Sequence, residues 1–135
     1  MDSPRWLIDV LLRPDLAGLE ELLSEGVRFR SPYAEYEGRD DVGHLVRLIA
    51  QALSHLRVVG IDGADTPPMG HSERTTRMTA KVGDHELQGV LCEDLDAAGR
   101  LAEATLMLRP YVALGFALSA MSDLLAESPL PSRSI

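Results

Sequence analysis

The spacing of hydrophobic residues changes several times along this chain, and each change marks an element. Trp6, Leu7, Val10 and Leu11 fall on one helical stripe behind Ser3-Pro4, a hydroxyl to cap free amides and a proline whose missing N–H costs nothing there. Arg13-Pro14-Asp15 interrupts the stripe. A second helix follows, with Leu16, Leu19, Leu22 and Leu23 on one face and Gly26 as its stop. Val27-Arg28-Phe29-Arg30 alternates apolar and basic, a half-buried strand that Ser31-Pro32 ends. After a turn containing Tyr33, Tyr36 and Gly38, helical spacing returns at Val42, Leu45, Ile49 and Ala52. Asp40 or Asp41 is placed to cap this helix, which should run to about Leu53.

From there the period becomes two. Residues 56–61 read as a strand and 66–70 as a loop. Residues 75–82 and 86–94 pair across Gly83-Asp84, and Asp96-Ala97-Ala98-Gly99 turns the chain into a strand over 101–108, completing an antiparallel meander. Arg109-Pro110 closes it and opens a last helix carrying Ala113, Ala117, Ala120, Met121 and Leu124 on its stripe. Residues 1–127 thus read as one domain and 128–135 as a flexible tail. The fold class is α+β: N-terminal helices packed on a strongly curved, mostly antiparallel sheet, with a C-terminal helix. Strands this long must twist, and a bent sheet wrapped around helices encloses a cone-shaped hollow suited to a small ligand.

Composition narrows the partners. The 135 residues are 45% hydrophobic, enough for a packed core at this length. With 13 Lys and Arg against 21 Asp and Glu the net charge is −8, and the basic residues are scattered, which disfavours nucleic acid and anionic membrane surfaces. Cys92 is the only cysteine, so neither an intrachain disulfide nor a cysteine zinc site can form. The opening MDSPRWLIDVLL lacks the pattern of a secretory signal, and no apolar run approaches the roughly 18–20 residues that span a bilayer; a cytoplasmic location is expected. Arginine makes up twelve of the 13 basic residues and asparagine is absent, a bias expected of a GC-rich bacterial genome.

Asp15-Leu16-Ala17-Gly18-Leu19, then Val27 to Pro32, then Tyr36-Glu37-Gly38-Arg39, and near the end Leu95-Asp96-Ala97-Ala98-Gly99-Arg100-Leu101-Ala102-Glu103 followed by Leu108-Arg109-Pro110, together resemble the SnoaL-like proteins of the nuclear transport factor 2-like superfamily. The resemblance spans about Trp6 to Met121. It implies the cone-shaped α+β fold, an apolar pocket, and homodimers through the outer face of the sheet. Relatives include ketosteroid isomerase, polyketide cyclases, epoxide hydrolases and non-catalytic binders. Matched by position, the isomerase's general base falls at Ser31, its oxyanion tyrosine at Leu7, and its protonated aspartate at Leu91 or Cys92. The cyclases' catalytic aspartate falls at Leu106. None of these replacements can do the corresponding acid–base work.

The remaining polar groups offer weak candidates. His44, His55, His71 and His85 have no metal-ligand spacing, so no metal and no cofactor is expected. His55 opens a strand and could face the hollow. Glu103, opposite Ala102 and Ala104, should point outward and pair with an arginine, unless a bulge flips the strand and makes it an inward acid. Cys92 reads as a packed small apolar residue. Met78, Ala80, Leu87 and Leu91 share one face of the hairpin, continued by Ala102, Ala104, Leu106 and Leu108. The resemblance implies that Trp6, Ser31 and Tyr33 flank the cavity mouth, so the expected pocket residues are Trp6, Ser31, Tyr33, Met78, Leu87, Leu91 and Leu106, holding a small hydrophobic molecule. Two other readings remain open: an enzyme of the cyclase, isomerase or hydratase type working through His55 or Glu103, and a dimerisation module with no guest.

Overall fold

The computed structural model describes residues 6–13, 15–63 and 72–133. Ser3-Pro4, Pro14, the 66–70 loop and His71 lie outside the described residues. Two short helices come first, α1 (Leu7–Leu11) and α2 (Leu19–Leu22). Helices this short are marginal alone, so packing holds them: Leu7, Ile8, Val10, Leu19 and Leu22 are all buried. The stop expected at Gly26 is corrected. The backbone is already extended at Leu23, where β1 (Leu23–Arg30) begins by pairing with Leu101, a contact that no local pattern encodes.

A short strand, β2 (Glu35–Glu37), lies where a turn was expected, antiparallel to β1 with Glu37 and Glu35 opposite Arg28 and Arg30. Gly38, at φ 96°, turns the chain into α3 (Arg39–Ala52). No aspartate caps this helix through its side chain. Asp40 and Asp41 sit instead in its first turn, facing the positive end of the helix dipole.

The strands β3 (Ser54–Asp62), β4 (Ser72–Val82), β5 (His85–Leu95) and β6 (Leu101–Arg109) complete a six-stranded sheet in the order β2-β1-β6-β5-β4-β3. Every pair is antiparallel except β1 with β6. The expected register of the β4–β5 hairpin is observed, Ala80 opposite Leu87 and Met78 opposite Gly89. Register shifts in β3 leave an extra residue near His55, whose φ is 55°, and another at Val59; a third bulge puts an extra residue at Ala102 of β6. Bulges of this kind increase local twist and bend, and the sheet is curved. The Ala102 bulge also corrects the inner face of β6: Leu101 and Ala104 are both buried while Ala102 is only half-buried.

The main core joins α1, α2 and α3 to β1, β4, β5 and β6. A smaller cluster of Val82 and Leu87 with Ala113 and Ala117 seats α4 (Tyr111–Glu127). The unstructured tail is corrected for residues 128–133. A 3₁₀ turn, Pro131–Arg133, lies against α3, where the Ser132 N–H and hydroxyl donate to the Asp41 carboxylate at 3.0 and 2.6 Å. His44 Nε2 donates to the Ser128 carbonyl at 2.7 Å. Among the described residues no helix is long and apolar enough to cross a membrane.

Candidate functional site

The interior of the cone has two contrasting ends. At one, α3, α4, the end of β6 and the turn after β1 enclose an apolar cavity. Leu45, Ile49, Ala52 and Leu53 come from α3, Leu106 and Leu108 from β6, and Leu114, Ala117, Leu118 and Met121 from α4; Ser31, Pro32 and Tyr33 form its rim. Its free volume is about 30 Å³, room for little more than a water molecule or two. Beside it, Gly89 leaves a space against β5, which the Leu108 and Met78 side chains approach to within 2.9 and 3.2 Å of where a β-carbon would stand.

The rim is less polar than its residue types suggest. The Ser31 hydroxyl donates to the Ala34 carbonyl at 2.9 Å and accepts from the Tyr33 and Ala34 amides, both at 3.1 Å, so its bonding capacity closes the turn. Tyr33 is 47% exposed and presents its ring at the mouth.

Of the other residues expected in the pocket, Trp6, Met78 and Leu91 are buried in the closed core and do not line the cavity. Leu87 belongs to the cluster under α4. Glu103 points outward and forms an ion pair with Arg30 at 2.5 Å, so the bulge shifts its neighbours and not the acid. His55 is exposed, with Nδ1 3.1 Å from the Ser54 hydroxyl, and borders an open groove with Lys81, Glu86 and Arg109. Neither group faces the cavity. Arg109 bonds Gln88, and His85 stacks on Phe116 with ring centres 3.8 Å apart. Cys92 is half-buried with its sulfur 3.9 Å from the Thr75 hydroxyl. Among the described residues no cluster of ligating side chains could hold a metal.

At the other end stands a residue that the sequence reading missed. Glu93 is 1% exposed, and its two carboxylate oxygens accept the backbone amides of Leu7 and Ile8, the latter at 3.3 Å. The carboxylate thereby fastens the start of α1 to β5. Burial pushes its pKa up to about 7, against the lowering effect of the two amides; Asp9 pushes the same way as burial and Arg74 opposes it. Arg74 is the cross-strand neighbour of Glu93, its guanidinium 4.7 Å above the Trp6 ring and 4.0 Å from Asp9. Both oxygens of Glu93 are occupied and it lines none of the cavities described, so in this arrangement it is a structural clip. The signal was in the pattern: Leu87 and Leu91 point inward, and the next inward position at period two is Glu93.

No protein-family model matches the sequence, and no curated protein does. Solved structures do. A bacterial protein with a cystatin-like fold from Silicibacter pomeroyi is 25% identical, with a TM-score of 0.79 over 92% of this chain and 84% of that one. A steroid delta-isomerase from Pseudomonas aeruginosa is also 25% identical, with a TM-score of 0.77 over 89% and 86%. A nuclear transport factor 2-like protein from Exiguobacterium, 18% identical, has a TM-score of 0.55 over 78% and 95%. The curved sheet, its strand order and these likenesses give the chain the cone-shaped α+β fold that nuclear transport factor 2-like proteins share.

Proposed function

We propose that the protein is a SnoaL-like binder of a small hydrophobic molecule, which it takes between α3 and α4. The observation that carries this reading is the cavity wall: aliphatic below a rim of Ser31, Pro32 and Tyr33, with the half-buried Ser31 hydroxyl already committed to a turn. The closed cavity is small, so a guest must part α3 from α4. The helix α4 suits that movement, because it packs on the sheet through small residues, Ala113 and Ala117. Thermal shift and calorimetry with a panel of hydrophobic probes test the proposal; saturable binding is expected, and no binding by any probe overturns it.

Catalysis of the isomerase or cyclase kind is supported only by the likeness to the steroid delta-isomerase. It needs a titratable side chain beside the guest. His55 and Glu103 lie outside, and the oxygens of Glu93 are engaged by α1.

The proposal includes a second copy packed across the outer face of the sheet. Val59 and Met107 are exposed there, Glu73, Asp94 and Glu103 form a row across three strands at one end, and Arg57 and Arg109 stand toward the other. A two-fold axis would bring opposite charges together. Light scattering should give a dimer mass that falls in an Arg57→Glu/Arg109→Glu variant; a monomer at high concentration removes this part.

A further inference from the structure

We infer that the guest is a flexible aliphatic chain, entering tail-first with an uncharged polar head left at Tyr33, and not a flat polycyclic molecule; this rests on the ligand-binding reading above. The walls argue for it first. Among the described residues their only aromatic ring is Tyr33, which is half in solvent, and everything below the rim is Leu, Ile, Ala and Met. A rigid fused ring system needs a slot of its own shape already formed, and these flexible aliphatic side chains form none. A methylene chain needs only width, which Leu and Met121 can yield by changing rotamers.

The free volume of about 30 Å³ points the same way. A rigid tetracycle would have to displace helix backbones along its whole length, whereas a chain separates side chains one methylene at a time.

Polarity then fixes the orientation. With the Ser31 hydroxyl bonded to Ala34, nothing deep in the cavity can pair with a ketone or hydroxyl, and burying such a group unpartnered is costly. The polar end therefore stays at the mouth, within reach of the Tyr33 phenol. Among the described residues no Lys or Arg lines the cavity, so a carboxylate drawn below the rim would find no counter-charge and must stay fully in water.

The test titrates the full chain by calorimetry with 1-hexanol to 1-nonanol, with octanoate, and with progesterone as the rigid probe. Affinity for the alcohols should rise about fourfold per added methylene, as expected for burying a CH₂. Octanoate should bind at least about fourfold more weakly than 1-octanol, because its hydrated head cannot sink below the rim and about one methylene stays unburied. Progesterone should not bind. Ala52→Phe, which fills the cavity from α3, should abolish alcohol binding; if that variant does not fold, Leu118→Trp blocks the same space from α4. Tyr33→Phe should weaken every alcohol by a similar factor and leave the increment per methylene unchanged. Progesterone binding where the alcohols do not overturns the chain inference and leaves the ligand-binding reading standing. If neither class binds, the ligand-binding reading itself falls. Alcohol binding that survives both cavity-filling variants places the guest elsewhere and overturns the inference.

Discussion

The two ends of the cone interior close by opposite means. Around α1 the closure is polar: one buried carboxylate accepts two backbone amides, and an arginine lies across a tryptophan beside it. Around α4 it is apolar: small residues seat the helix, and a sheath of leucines meets over a narrow gap. A hydrogen-bonded closure is directional and costly to open, since each freed amide must find water or remain unpaired. An apolar closure has no preferred register and can reopen around any greasy guest of the right width. Rigidity therefore belongs to the α1 end and adaptability to the α4 end. The proposed site lies where the fold can yield.

Removing Glu93 should show that difference most strongly. Glu93→Ala leaves the Leu7 and Ile8 amides unpaired beside a void, at about 4 kcal/mol. Urea unfolding should register it, and exchange protection of the α1 amides should fall before that of α4. A loss below about 1 kcal/mol would show that α1 is held by its apolar face alone.

The second effect is on pH dependence. The folded carboxyl titrates near 7 and its reference value is 4.5, so the folded chain holds a proton in that window that the unfolded chain releases. This contribution to stability is complete below about pH 4.5, declines by about 3 kcal/mol as pH rises toward 7, and then levels off. Glu93→Gln should flatten that decline, measured as the midpoint of chemical unfolding at a series of pH values. An unchanged slope in the variant would assign the titration to another group.

At the apolar end the expected loss is smaller. Leu106 is buried and lines the cavity, and Leu106→Ala should cost about 2 kcal/mol, low for such a truncation because flexible side chains on α3 and α4 can close in. The same change widens the gap. A saturating hydrophobic probe should therefore raise the melting temperature of the variant more than that of the parent, and equal shifts would mean that the probe binds elsewhere.

Much of the fold was legible because strand period and turn chemistry are local. Gly83-Asp84 set the register of β4 on β5 residue for residue, and helical spacing located α3 and α4. What escaped depends on distant chain. The pairing of β1 with β6 draws Leu23 out of its helix, and β2 forms by pairing residues 35–37 with residues 28–30 across a turn, with Tyr36 buried between two exposed glutamates. Bulges at Val59 and Ala102 shift faces without leaving a mark in the spacing. The rim residues Ser31 and Tyr33 could be placed only through the family resemblance, which implies a cavity mouth at the turn after Pro32. The contribution of α4 to the cavity could not, because a helix apolar on nearly all sides, with Tyr111 and Val112 exposed, does not announce which side packs. Glu93 differs in kind, because the alternation that turns Leu87 and Leu91 inward turns it inward too.

The smallest effect separates the two ends most sharply, because it asks whether the polar closure is fully satisfied. Thr76 is completely buried on the inner face of β4, opposite Leu91 and two residues from Arg74, and its hydroxyl has no hydrogen-bond partner among the described residues. Thr76→Val keeps the shape and the β-branch while removing an oxygen that lost its water on folding. Stability should rise by about 1 kcal/mol, and the pH profile set by Glu93 should keep its form. If the variant is instead destabilised, the hydroxyl has a partner in solution, and the polar network around Glu93 extends one residue further along β4, tightening the contrast with the leucine-lined end.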